Sequence, residues 1–200
     1  MDFEFEKQAL GRGFSCVCGV DEAGRGPLAG PVYAAAVILP LDCEIDGLND
    51  SKKLSEKKRD ELFDIIKQKA VAFAVASASV EEIEEMNILQ ATFLAMKRAV
   101  ESLETKPDIA LVDGNRKPGL SIAESTLVKG DARCPSIAAA SILAKVSRDR
   151  YMLEIDKLYP EYQFSKHKGY GTKLHYEMLE KYGISPVHRR SFLKKITGEK

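Results

Sequence analysis

Four carboxylates lie where apolar segments of this 200-residue chain end: Asp21 and Glu22, Asp113, and Asp131. Because the carboxyl ends of strands in an open α/β sheet form the edge that binds ligands, we expect these acids to lie together. Clustered carboxylates raise one another's pKa unless a cation neutralises them, and Mg²⁺ and Mn²⁺ prefer carboxylate oxygens. Each acid taken alone is better explained as part of a turn or a helix flank. Taken together, they predict a site for two divalent ions that could hydrolyse a phosphodiester.

A glycine-flanked arginine, Gly24-Arg25-Gly26, follows the first acid pair directly. The glycines do not form a dinucleotide-binding loop, because their spacing is GxGxxxG, Pro27 intervenes, and an apolar run follows where a helix is needed. We interpret the segment as exposed backbone that a substrate can approach closely. Neighbouring residues of a strand point to opposite faces, so Asp21 and Glu22 reach one ion only if the strand ends or bends there.

Charge is distributed unevenly, although the net charge is zero. From residue 161 to the end there are nine Lys or Arg and four acids, which gives +5 against −5 for the first 160 residues. All three histidines also lie in this tail. A basic tail on an acidic body suits a protein that holds metal ions in one part and a polyanion in another, although a solvated helix explains the charge equally well.

Composition places the chain among ordinary globular proteins, with 44% apolar and 30% charged residues. No apolar stretch is long enough to span a membrane, and the acidic first ten residues predict an untargeted, cytoplasmic protein. The four cysteines form no CxxC pair, so we expect free thiols rather than disulfides or structural zinc.

The hydrophobic pattern predicts an α/β fold with a mixed five-stranded sheet. The predicted strands are 15–22, 31–39, 71–80, 109–112 and 121–128. The predicted helices are 55–69, capped by Ser55, a helical region from 81 to 85, and 87–103, 135–159 and 174–182. We expect a loosely held lead-in at 1–14, a catalytic domain at 15–160, and a basic helical extension at 161–200 packed on the same domain.

Five segments resemble ribonuclease HII in order and across nearly the whole chain. They are GVDEAGRGPLAGPVYAAAVIL, DSKKLSEKKR, LVDGN, KGDARCPSIAAASILAKVSRDRYM, and HKGYGTKLHYEML with GISPVHRRSF. The resemblance implies a ribonuclease H-like fold and a monomeric, manganese- or magnesium-dependent endonuclease. It further implies cleavage of the RNA strand of RNA–DNA hybrids, and cleavage 5′ of single ribonucleotides in duplex DNA that leaves 3′-hydroxyl and 5′-phosphate ends.

The family's functional positions fall on matching residues of this chain. The metal-binding carboxylates fall on Asp21, Glu22, Asp113 and Asp131. The loop that contacts the ribose 2′-hydroxyl, the group that distinguishes RNA from DNA, falls on Gly24, Arg25 and Gly26. The tyrosine that packs on the deoxyribose after the ribonucleotide falls on Tyr170, and a tyrosine between two glycines is in any case suited to stacking on a sugar or base.

Basic residues near these motifs are candidate phosphate contacts, which would position the duplex and make binding salt-sensitive. For any single lysine, an ordinary surface position explains the sequence better. His188 could bind phosphate or pack internally, and no function is assigned to Cys134. The candidates are Lys52, Lys53, Lys166, Lys168, Arg189 and Arg190.

Two other functions are compatible with the carboxylates. Ribonuclease HIII has the same chemistry, but its chains are longer, with an added N-terminal domain. A binding module that has lost catalysis would have lost at least one of the four acids, and all four are present. A deoxyribonuclease or transposase of the same fold is disfavoured by Gly24-Arg25-Gly26 and Tyr170.

Overall fold

The computed structural model describes residues 1–49, 51 and 54–194 and contains the predicted mixed five-stranded sheet, in the order β3-β2-β1-β4-β5. Lys52 and Lys53, two of the candidate phosphate contacts, lie outside the described residues. The strands are β1 (Val17–Ala23), β2 (Val32–Ile38), β3 (Ala72–Ala78), β4 (Ile109–Asp113) and β5 (Ala123–Leu127).

Strand β1 pairs antiparallel with β2 and parallel with β4, which in turn pairs parallel with β5. The carboxyl ends of β1, β4 and β5 therefore meet at one edge, as the sequence predicted. Strand β1 ends one residue past its acid pair, and Gly24, at φ +98°, follows directly, so the predicted strand end lies within one residue of the observed one. Both acids are paired with β2, Asp21 with Ala35 and Glu22 with Ala34, and the strand runs on to Ala23.

Helices cover both faces of the sheet. They are α1 (Glu4–Gly11), α2 (Glu56–Lys69), α3 (Val80–Met86), α4 (Ile88–Glu101), α5 (Pro135–Leu158), α6 (Phe164–His167) and α7 (Lys173–Tyr182). None of the helices in the described part of the chain is long and apolar enough to cross a lipid bilayer. The four cysteines are free, as expected.

Two of the apolar cores follow from the alternation of side chains along β2. Ala34 and Ala36 face a core that includes residues of α3 and α4, and Ala35 and Val37 face a second core built with α2 and α5. Because both faces of β2 are covered, the strand is apolar throughout. Helix α5 lies so close to β1 that a Cβ at Gly19 would overlap the backbone of Ser136.

The segment expected to be a loose lead-in is instead a docked helix. In α1, Glu6 and Ala9 are buried. Glu6 Oε1 accepts hydrogen bonds from the backbone N–H of Ser136 at 3.0 Å and from its hydroxyl at 2.8 Å. A carboxylate is favourable there because the first N–H groups of α5 lack partners within the helix. Glu6 therefore has a structural role, because it joins α1 to the N-terminus of α5.

The chain after α5 folds back onto the body of the protein. Phe164, Leu179 and Leu193 pack against Leu28 and Met152, so the extension covers the segment that follows the acid pair. An isolated antiparallel bridge joins Ala29 to His188. The boundary at residue 160 stays a prediction, while the contacts show that the tail packs against the segment that follows β1.

Candidate active site

Three separate elements deliver the four carboxylates to one edge of the sheet. Asp21 and Glu22 lie in β1, Asp113 is the last residue of β4, and Asp131 lies in a 3₁₀ turn that follows β5. Asp113 Oδ1 accepts a hydrogen bond of 2.7 Å from the backbone N–H of Gly130. That bond fixes the turn carrying Asp131 against the end of β4.

Asp21 lies in an environment that disfavours a negative charge. Burial raises its pKa well above the usual value, and the neighbouring charges of Glu22 and Asp113 raise it further. Hydrogen bonds from the Ser141 side chain and from the Glu22 N–H oppose the shift. A buried carboxylate surrounded by like charges is stabilised most directly by a cation. The electrostatics of Asp21 therefore favour a cation beside its carboxylate.

The carboxylates do not form a finished metal cage. Within residues 1–49, 51 and 54–194, no group of three or more His, Cys, Asp or Glu side chains is arranged so that it could hold a metal ion. Mg²⁺ does not need such a cage, since it commonly binds through one or two carboxylates, several waters and substrate phosphate. The oxygen donors and the raised pKa of Asp21 fit a hard divalent ion that binds with its substrate.

A cavity of about 460 Å³ opens beside Glu22 and brings together the predicted substrate-binding motifs. Gly24, Arg25, Gly26 and Tyr170 all line it, although 144 residues separate Gly26 from Tyr170 in sequence. Asp21, Asp113 and Asp131 are not among the lining residues. The cavity therefore brings the predicted substrate-binding motifs to one of the four acids, Glu22. The remaining lining residues are Ala23, Ser51, Ile88, Ser141, Lys145 and Phe192.

The two glycines of the Gly24-Arg25-Gly26 loop differ in whether the fold requires them. Gly24 has φ +98°, and a Cβ there would overlap the side chain of Arg148. A Cβ at Gly26 would meet no protein atom within 4 Å. Between them, the half-exposed Arg25 guanidinium lies 3.3 Å from Glu22 Oε1. The fold thus demands glycine at position 24 but leaves position 26 open.

Tyr170 presents an exposed ring at the cavity, as the sequence predicted. Its ring is flanked by two cationic groups, with Lys145 Nζ at 5.9 Å and Arg148 Cζ at 5.7 Å from the centroid. The backbone is anchored, because the Gly169 carbonyl accepts from the Leu28 N–H at 2.8 Å. The tyrosine loop is therefore hydrogen-bonded to the segment that begins with Gly24-Arg25-Gly26.

The basic candidates differ in where the structure places them. Lys166 and Arg190 are exposed. Lys168 Nζ is engaged by the Ser165 carbonyl at 2.6 Å and lies 3.8 Å from Glu56. The prediction that Arg189 contacts phosphate is wrong, because its side chain is fully buried. A buried guanidinium cannot reach a nucleic-acid backbone, and a different role is required.

His188 packs internally, which decides between the two alternatives left open by the sequence. The Ser185 N–H donates to His188 Nδ1, so His188 carries its proton on Nε2 and donates to His175 Nε2 at 3.0 Å. His175 then donates from Nδ1 to the Tyr170 carbonyl at 3.0 Å. Burial lowers the pKa of both imidazoles to about 4. The two neutral imidazoles thus link Ser185 to the backbone of the tyrosine loop through hydrogen bonds.

Sequence reasoning missed several residues on α5. Lys145 lines the cavity, its ammonium bound to both oxygens of Asp149 at 2.5 and 2.6 Å, and burial lowers its pKa. Arg148 is buried beneath Tyr170. The available signal was the spacing of Lys145, Arg148 and Asp149, which places three charges on one face of a helix that is otherwise apolar at its start.

Comparison with known proteins agrees with this geometry. Residues 18–195 match the family model described as Ribonuclease HII. A ribonuclease HII of Endomicrobium trichonymphae is 62% identical over 95% of this chain and 91% of its own length. Among solved structures, the ribonuclease H2 of Pyrococcus horikoshii OT3 is 30% identical, with a TM-score of 0.76 over 92% of this chain and 98% of that one. Bst-RNase HIII in complex with Mn²⁺ is 17% identical, with a TM-score of 0.66 over 88% of this chain and 64% of that one, and shares the fold.

Proposed function

Because the chain belongs to the ribonuclease HII family, we propose that it cuts duplex DNA on the 5′ side of a single embedded ribonucleotide, leaving 3′-hydroxyl and 5′-phosphate ends. At the coarser level, it is an endonuclease of the ribonuclease H type that acts on RNA–DNA hybrids. The family model covers the chain from β1 to the last described residues.

The observation that carries the proposal is the shared cavity. A ribonuclease that recognises one ribonucleotide must read the ribose 2′-hydroxyl and the deoxyribose beside it within one duplex step. Gly24-Arg25-Gly26 and Tyr170 line the same 460 Å³ space next to Glu22. The loop offers its backbone to the ribose, and Tyr170 offers a ring to the adjacent sugar.

We assign divalent-metal binding to Asp21, Glu22 and Asp113, with Asp131 completing the site, and Mn²⁺ or Mg²⁺ as the ion. Two ions bound there with the substrate would supply an activated water and stabilise the leaving 3′ oxygen. Support comes from the raised pKa of Asp21 and from the presence of Mn²⁺ in a protein of the same fold. The hydrogen bond from Gly130 orients Asp113, and the one from Glu22 orients Asp21.

Cationic side chains at the cavity supply the remaining contacts. Arg25 and Lys145 line it, and Lys168, Lys52 and Lys53 are the candidates from the sequence for the flanking phosphates. Such contacts fix the register of the duplex without reading bases. We further expect a cytoplasmic monomer, and light scattering after gel filtration tests the oligomeric state.

A cleavage assay on three end-labelled duplexes tests the proposal. The substrates are DNA with one ribonucleotide, an all-RNA/DNA hybrid, and plain DNA, each with Mg²⁺, Mn²⁺ or a chelator. We expect metal-dependent cutting 5′ of the ribonucleotide and no cutting of plain DNA. Cutting of the hybrid alone would instead indicate ribonuclease HIII-like specificity. Binding without cutting under every condition would indicate a catalytically silent module.

A further inference from the structure

Arg189 is fully buried beneath the Gly24-Arg25-Gly26 loop, and its partners are backbone carbonyls. Nη2 donates to the Gly24 carbonyl at 2.7 Å, and Nη1 donates to those of Arg25 at 3.1 Å and Pro27 at 2.9 Å. Nε donates to the Gly30 carbonyl at 2.8 Å. One side chain from the C-terminal extension thus holds four carbonyl groups within seven residues of the loop.

This arrangement requires an arginine. A guanidinium carries five N–H donors in a rigid plane, whereas a lysine ammonium carries three donors on one atom. Carbonyls reached by three different nitrogens cannot be satisfied from a single ammonium. Burial and the neighbouring Arg148 guanidinium lower the pKa of Arg189 to about 9, which still leaves it protonated at neutral pH.

The direction of the held carbonyls determines the direction of the neighbouring N–H groups. In a planar trans peptide, the N–H points away from the C=O of the same unit. The Gly24 carbonyl shares its peptide with the Arg25 N–H, and the Arg25 carbonyl shares its peptide with the Gly26 N–H. Since both carbonyls point inward to Arg189, both N–H groups point away from it, on the side where Arg25 and Gly26 line the cavity.

The next held carbonyl along the loop shows the same geometry. The Pro27 carbonyl accepts from Arg189, and the N–H of the same peptide, that of Leu28, donates in another direction to Gly169. Two successive N–H groups that point to one side form a concave site for an electron-rich atom. The oxygen of a ribose 2′-hydroxyl is such an atom, and a deoxyribose offers nothing in its place.

We propose that Arg189 is a positioning residue that sets ribose specificity by turning the N–H groups of Arg25 and Gly26 toward the substrate. The proposal rests on the proposed function, because it assigns the ribose to this loop. Arg189 itself never touches the substrate. It acts through the loop backbone, and its loss would reduce discrimination between ribose and deoxyribose while the carboxylates stay in place.

The decisive variant is Arg189→Lys, which keeps the positive charge but loses the planar set of N–H donors on three nitrogens. Arg150→Lys is the matched control, since Arg150 is an exposed arginine paired with Asp60. Affinity for the single-ribonucleotide duplex and for plain DNA is measured by fluorescence anisotropy in Ca²⁺, with cleavage monitored in the same samples. Amide hydrogen exchange of the peptide covering 24–30 is measured in parallel.

We expect Arg189→Lys to reduce the ratio of the two affinities by about 2- to 10-fold, the range for one lost hydrogen bond. Exchange should accelerate in 24–30 and stay unchanged in the strands, and Arg150→Lys should match the wild type in both measurements. An unchanged affinity ratio in Arg189→Lys would overturn the proposal. A wild-type protein that binds both duplexes equally would instead overturn the proposed function, while the exchange result would still report whether Arg189 orders the loop.

A measurement on the wild type keeps the proposal testable if Arg189→Lys does not fold. The amide resonances of Arg25 and Gly26 should shift when the single-ribonucleotide duplex is added, and shift less with the matched all-DNA duplex. Equal shifts with both duplexes, or no shift with either while binding is observed, would show that these N–H groups do not read the ribose.

Discussion

Asp113 accepts a hydrogen bond from the backbone N–H of Gly130 at 2.7 Å, which links the end of β4 to the turn that carries Asp131. This bond fixes Gly130, the residue before Asp131, against the end of β4, which lies beside β1 and its cavity-lining acid Glu22. The Oδ1 atom of Asp113 takes part in this structural contact, and Oδ2 is the atom to which we assign metal binding. This division makes Asp113 the most informative position for substitution.

Asp113→Asn should abolish cleavage and preserve binding of the hybrid. The amide oxygen of asparagine can still accept from Gly130, whereas the negative charge needed at a metal site is lost. We expect kcat to fall by at least ~100-fold, the upper effect seen even for groups that only support a metal ligand. Asp108→Asn is the control, because Asp108 also accepts from backbone N–H groups but lies at the other end of β4. Full activity in Asp113→Asn would remove Asp113 from the metal site.

Tyr170→Ala should lower activity most on the single-ribonucleotide substrate. The ring is 40% exposed at the cavity, and stacking of an aromatic ring on a nucleotide is worth about 1–3 kcal/mol. We therefore expect kcat/KM on that substrate to fall about 10-fold or more, with a smaller loss on the all-RNA hybrid. Tyr182→Ala removes a similarly exposed ring away from the cavity lining. Equal losses on both substrates in Tyr170→Ala would argue against a role at the RNA–DNA junction.

Gly26→Ala tests whether glycine at this position is needed for stability or for cleavage. A methyl group at this position meets no protein atom within 4 Å, so the Tm should stay constant or rise slightly. If the backbone is bare so that a ribose can approach it, cleavage should fall about 10-fold or more, as expected when a reacting group is displaced. Gly24→Ala, by contrast, should lower the Tm, because it is strained at φ +98° and displaces Arg148. Wild-type kcat/KM in Gly26→Ala would contradict the close-approach explanation.

The free energy of unfolding should decrease between pH 6.5 and 4 through the buried histidines. Burial lowers the pKa of His175 and His188 to about 4 in the folded protein, against 6.5 for an unperturbed imidazole. The unfolded chain therefore binds more protons in this range, and the stabilisation present above pH 6.5 is lost as the pH falls toward 4. In His188→Gln, denaturant titrations at several pH values should show that the free energy of unfolding depends less steeply on pH, by the equivalent of about one proton. An identical slope would show that His188 does not titrate on unfolding.

Glu6→Ala should destabilise the protein, although the sequence predicts only a loosely held lead-in at this position. The buried carboxylate accepts two hydrogen bonds from Ser136, and a hydrogen bond to a charged group contributes about 1.5–3 kcal/mol. We expect a decrease of about 2–3 kcal/mol in the free energy of unfolding. Glu4→Ala on the same helix is the control, because Glu4 is exposed and bonded only locally to Gln8. Equal effects of the two variants would show that the Glu6 contact does not stabilise α5.

Local features of the sequence predicted most of the fold. The apolar run of β2 predicted a strand covered on both faces, and Ser55 caps α2 by accepting from the Lys58 N–H at 3.2 Å. The same local logic placed Asp113 at a strand end and put the end of β1 within one residue of its observed end at Ala23. Hydrophobic period and capping are properties of neighbouring residues, so they can be seen without tertiary contacts.

The motifs, too, are a property of the sequence by itself: the four acids, Gly24-Arg25-Gly26 and Tyr170 indicate the ribonuclease HII family without any tertiary contact. Only the tertiary structure decided what the charged residues outside the motifs do. The basic tail predicted phosphate contacts, yet Arg189 is buried and donates to the carbonyl of Gly24, 165 residues away. A buried charge needs hydrogen-bonding partners, and those of Arg189 are backbone carbonyls that lie far away in sequence. The local sequence around Arg189 therefore does not show that it is buried. For the same reason, Glu6 and His188 acquire their roles only when α5 and the tyrosine loop are folded against them.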